Sequence, residues 1–119
     1  MKEISPQLQN QIQQYQQLQQ QLQVLGTQRL QLEAKLREVD STLEELGKLK
    51  DGADVYKSIG MLLVKADDHD ALKKELEDHK ETLTIRVKSI QKQEKALGER
   101  FEDLQGKIQA ALGGGPQAG

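Results

Sequence analysis

The sequence predicts a mainly α fold, a long antiparallel two-helix coiled coil whose arms are joined by a β-hairpin that must pair with other chains. Three observations predict it. Apolar residues recur at alternating spacings of three and four on both sides of the chain's middle, which is the signature of a helical seam. Between those halves lies the short β-branched stretch VYKSIGMLLVKA, residues 55–66, with Gly60 at its centre. The composition completes the case: of 119 residues, 30% are charged, 35% hydrophobic and only 3% aromatic, with no Trp and one Phe. That is too little bulky apolar material for a globular core, so one elongated unit over 1–119 is expected.

The first helix is expected over 5–50. Ser5 can cap the free N–H groups of a first turn, and Pro6 suits the first helical position because its missing N–H is not needed there. The seam then runs Leu8, Ile12, Tyr15, Leu18, Leu22, Leu25, Arg29, Leu32, Leu36, Val39, Leu43 and Leu46. Tyr15 to Leu18 adds a second step of three, a stammer that overwinds the coil locally. Gly47 and Asp51-Gly52 are stop signals, placing the helix end near Lys50.

The hairpin is expected over 54–66, with Gly60 and Met61 forming a two-residue type II′ turn. Strand alternation puts Val55, Lys57, Ile59, Leu62, Val64 and Ala66 on one face, and Tyr56, Ser58, Met61, Leu63 and Lys65 on the other. An isolated hairpin is marginal in water and exposes two unpaired edges. Partner strands are therefore required.

The second helix, 68–112, opens in the acidic cluster Asp67, Asp68, His69, Asp70, where carboxylates serve as cap and complement the helix dipole. Its seam reads Leu72, Leu76, His79, Leu83, Val87, Ile90, Glu94, Leu97, Phe101, Leu104, Ile108 and Leu112, with a stutter of two fours around Leu83. Gly113 to Pro116 end it, and 113–119 is expected to be a flexible tail. Helices joined by a hairpin must run antiparallel, so facing residues share an index sum. Pairing Leu46 with Leu72, Leu36 with Leu83, Leu18 with Phe101 and Tyr15 with Leu104 keeps it near ~119. The same register brings Arg29 within one layer of Glu94, so the two polar seam residues are expected to pair.

Charge is distributed unevenly. No charged residue occurs from Ile4 to Gln28, and Lys107 is the single charge from Gln105 to Gly119. The register brings these two stretches together at the tip remote from the hairpin. An exposed seam of Leu8, Ile12, Tyr15, Ile108 and Leu112 among neutral amides would hold apolar segments without charge selection, and it is the candidate partner site.

Other functions find little support. The chain carries a net charge of −2 with acidic and basic residues interleaved, which argues against nucleic acid. There is no cysteine, so no disulfide, thiolate metal site or cysteine nucleophile is available. His69 and His79 lack a second ligand at metal spacing and read as structural. Gly113-Gly114-Gly115 ends a helix instead of opening one, so it is no phosphate loop. No enzyme, metal or cofactor is expected. No run reaches the roughly 20 apolar residues of a membrane span, and MKEISPQLQ lacks the apolar core of a signal peptide, so a cytoplasmic location is expected.

Helix, DVYKSIGMLLVKAD hairpin and helix, opened by PQLQNQIQQYQQLQQQLQ, resemble the β-class subunits of the prefoldin family, the archaeal type in particular. The likeness spans almost the whole chain, and its single hairpin fits the β class, since the α class carries two. The resemblance implies an ATP-independent chaperone hexamer of two α and four β subunits. In it hairpins join into a β-barrel platform, and coiled-coil tips hold unfolded client polypeptides for delivery to a group II chaperonin. It assigns the barrel to Val55, Tyr56, Ile59, Leu62, Leu63 and Val64, and client contact to the tip residues. The competing reading is a structural coiled-coil scaffold or tether, which predicts one defined partner instead of many unfolded ones.

Overall fold

A computed structural model describes residues 4–113. The order is α1 (Pro6–Gly47), β1 (Tyr56–Ile59), β2 (Leu62–Lys65) and α2 (His69–Leu112). Of the expected tail, only Gly113 falls within the described residues.

The helix starts follow the local chemistry. Ser5 Oγ accepts the Leu8 N–H at 3.1 Å, and the Ser5 carbonyl accepts that of Gln9 at 2.9 Å, with Pro6 as the first helical residue. At α2 a carboxylate oxygen of Asp68 accepts the Ala71 N–H at 3.0 Å. Both are side-chain caps that occupy donors the helix cannot satisfy itself.

The end of α1 differs from expectation. It stops at Gly47, three residues before Lys50, and Gly47 is not left-handed. The chain instead tightens, Lys48 N–H donating to Glu45 and Leu49 N–H to Leu46, the shorter bonds that often finish a helix. A separate turn follows: Ala53 N–H reaches the Lys50 carbonyl at 3.1 Å with Gly52 at φ 83°. A positive φ at the third residue of a turn is the type II geometry, which favours glycine. The paired strands are accordingly shorter than 54–66, although Ala66 N–H still bonds the Val55 carbonyl at 2.8 Å.

Contacts divide the chain into two units, so the single unit expected over 1–119 is described in two parts: residues 4–30 with 88–113, and residues 31–87. In the first, Leu8, Leu18 and Leu104 are buried, and Ile12, Tyr15, Leu22, Leu25, Ile90, Leu97, Phe101 and Ile108 are half-buried. Tyr15 stacks on Phe101 with ring centroids 4.4 Å apart and planes at 19°. The register had set Tyr15 against Leu104, but its ring reaches one layer further, leaving Leu104 and Leu18 to fill the core. Arg29 Nε meets Glu94 Oε1 at 2.6 Å, the polar layer expected from the register. Together these two contacts make the helices antiparallel in this unit.

In the second unit Val39, Leu83 and Val87 are buried, Leu83 at 2% exposure. Lys80 Nζ bonds Asp40 at 2.8 Å, and again α1 and α2 run antiparallel. His79, expected on the seam, is exposed. Lys80 beside it is exposed too, and burying an imidazole without a hydrogen-bond partner would cost free energy. It turns to water while Lys80 reaches across to Asp40.

Candidate functional site

The hairpin's register pairs Tyr56 with Lys65, Lys57 with Val64, Ser58 with Leu63 and Ile59 with Leu62. Gly60 has φ 57° and Met61 a negative φ, as a type II′ turn requires. The cross-strand pairs put Val55, Lys57, Ile59, Leu62, Val64 and Ala66 on one face, as strand alternation predicts. Within this unit the strands stand largely clear of the helices: Tyr56, Ile59, Leu62 and Val64 are exposed, Leu63 is 74% exposed and Met61 fully so. Val55 is half-buried.

Beneath the hairpin's base lies an apolar cleft of about 320 Å³, floored by Leu46, Leu49, Leu72 and Leu76 and bordered by Val55, Tyr56 and Lys57. Lys57 is tied to α2, its Nζ lying 2.8 and 2.9 Å from the two Glu75 carboxylate oxygens. Lys65 Nζ bonds Asp54 at 3.3 Å. In the Asp-rich bend from Asp51 to Asp70, Asp54 pairs with Lys65 and Asp68 caps α2. Among the described residues no group of three or more His, Cys, Asp or Glu side chains is placed to hold a metal ion.

In the other unit the ends of the helices form a second kind of surface. Ile12, Tyr15, Ile108 and Leu112 converge on one depression of about 390 Å³, walled by Gln16, Gln19, Gln105 and Gln109. Leu112 is 60% exposed. Leu8, grouped with them as exposed, is instead buried at 8%, because it completes the seam at the helix end. A further depression of about 770 Å³, which spacing did not reveal, lies over Val24, Leu25 and Leu97 between Gln17, Gln20, Gln21, Gln28 and Gln93. The signal available was Val24, an apolar residue off the seam in a glutamine tract, and it is exposed. No charged residue lines either depression. Among the described residues no helix is long and apolar enough to cross a membrane.

A family profile described as "Prefoldin subunit" matches residues 9–115. A "Prefoldin subunit beta" of Archaeoglobus fulgidus is 51% identical over 119 residues, covering all of both chains. One of Methanosarcina acetivorans is 49% identical over 111 residues, covering 93% of this chain and 94% of its own. Among solved structures, the crystal structure of the prefoldin beta subunit from Thermococcus strain KS-1 matches with a TM-score of 0.84 at 38% identity. That match covers 94% of this chain and 97% of the other.

Proposed function

Because this chain belongs to the prefoldin family of non-enzymatic chaperone subunits, as a β-class subunit of archaeal type, we propose that it acts as an ATP-independent holdase. In the family fold, hairpins of several subunits join in a β-barrel platform. For this chain the proposed assembly is the α2β4 hexamer, formed in the cytoplasm with an α-class partner. Its helix ends hold unfolded clients and pass them to a group II chaperonin.

The observation that carries this reading is the depression of Ile12, Tyr15, Ile108 and Leu112 between four glutamines. Apolar client segments bury area against its floor, each contact weak and quickly reversible. Several such sites on one assembly raise the total affinity by about 10² to 10⁴ without any new contact. Preferential binding of unfolded chains then lowers the free concentration that aggregates. Uncharged walls leave no ionic term to select for or against a client's charge.

Replacing Ile108 and Leu112 together by Ser tests the reading. Leu112 is exposed and Ile108 half-buried in the last turns of α2, so the oligomer's mass and most of the helical content are expected to remain while suppression of client aggregation is lost. Protection equal to that of the unaltered protein would remove the site. A scaffold or tether would behave differently, binding one folded partner and ignoring a panel of unrelated denatured proteins.

A further inference from the structure

The two glutamine-walled depressions lie on opposite flanks of the seam. On α1, Gln16 and Gln19 stand to one side of the line through Tyr15, Leu18 and Leu22, and Gln17, Gln21 and Val24 to the other, as the helical period dictates. On α2, Gln105 and Gln109 fall on the side of the first depression and Gln93 on that of the second. We propose that one unfolded polypeptide segment occupies both depressions, strapped across the outward face of α1. The proposal rests on the holdase reading and adds to it a second contact and the path between the two.

Three observations favour that occupant and that path. Val24 is 56% exposed and off the seam, so it serves neither the core nor helix formation, which a β-branched side chain slightly disfavours. The depressions also meet: Gln16 of one and Gln20 of the other are neighbours one turn apart, both exposed and uncharged. At the level fixed by the Tyr15–Phe101 stack, the outward face of α2 instead carries Lys95, Glu99, Glu102 and Asp103, all exposed. Only the α1 route lets an apolar segment settle without covering an unpaired charge. Finally, glutamine amides both donate and accept hydrogen bonds, which suits the open backbone of an extended chain. A folded partner would bring surface charges that find no counterpart on these walls. Crossing half the girth of a helix about 10 Å wide while climbing about 10 Å along it takes roughly 20 Å, or about six residues of extended chain.

The test uses the full chain assembled with an archaeal α-class prefoldin subunit, and reduced, carbamidomethylated lysozyme as the unfolded probe. Because the sequence has no cysteine, a single introduced thiol carrying a photo-crosslinker reports one position. Gln109→Cys marks the first depression, Gln20→Cys the outward face of α1, Val24→Cys the second depression and Glu102→Cys the outward face of α2, all at exposed side chains. Crosslinks to the probe are expected from Gln109→Cys, Gln20→Cys and Val24→Cys, and only background from Glu102→Cys. Crosslinks from Gln109→Cys alone overturn the strap and leave the holdase reading standing, whereas none from any position removes both. Yields from Glu102→Cys equal to those from Gln20→Cys overturn the choice of α1. A crosslink from Val24→Cys to a neighbouring arm in the absence of probe gives that depression to a second copy, against the proposal. Independently, Val24→Ser is expected to speed release of the probe about fivefold by removing apolar burial, with helical content by circular dichroism unchanged. An unaltered release rate contradicts the second contact.

Discussion

The hairpin of one unit and the helix ends of the other both expose apolar side chains, yet they offer a partner different things. In the hairpin the backbone itself is incomplete. The bond from Ala66 to Val55 and the alternation of an antiparallel ladder leave the N–H groups of Tyr56, Ser58, Leu63 and Lys65 facing outward, free to bond water or another strand. Along the helix faces that line the depression the backbone N–H groups bond within their own helices, down to the Gly113 N–H on the Gln109 carbonyl at 2.7 Å, and these faces offer side chains. Unsatisfied backbone demands a partner of fixed direction and register. On the proposed reading, side chains between uncharged walls hold partners loosely, whereas a strand edge holds one in a fixed register.

The largest effect expected to break this contrast is Leu63→Pro. It removes an outward donor without removing a bond within the hairpin, and the orphaned acceptor across the interface is worth about 1–3 kcal/mol per contact. Assembly measured by sedimentation is expected to fall by about tenfold or more. Within the fold of a single chain, Leu83→Ala opens the most buried seam position and is expected to destabilise by about 2 kcal/mol in thermal unfolding. Leu112→Ala is expected to leave unfolding unchanged and weaken client protection alone. Smaller again, Arg29→Leu is expected to lose about 1–2 kcal/mol, and the Arg29→Leu, Glu94→Leu double variant to recover it, because a half-buried ion pair adds little that an apolar layer does not. The smallest effect is a gain: Gly98→Ala in α2 meets nothing within 4 Å and is expected to stabilise by about 0.5–1 kcal/mol.

Much of this was legible in the residues because the governing physics is local or periodic. Spacings of three and four marked the seam, Ser5 and Asp68 announced the caps, and Gly60 specified the turn. The shared register found the Arg29–Glu94 layer across 65 positions of sequence. What escaped was set by small differences that spacing does not carry. Gly47 signals a stop without saying whether the helix closes left-handed or tightens first. At the stutter the spacing puts His79 on the seam, yet His79 and Lys80 are both exposed, and Lys80 pairs with Asp40 at the surface. Leu8 looked like a free helix end, but a seam residue next to a capped start still packs inward. Val24 breaks the period, so the depression it floors had no repeating signal.

The most direct measurement follows unfolded clients of opposite net charge onto the assembled protein at low and at high salt. With no charge lining the depression, the account predicts affinities for acidic and basic clients within a few-fold of each other and nearly unchanged by salt. A preference of tenfold or more for one sign, fading as salt screens it, would contradict the claim that an uncharged helix end does the holding.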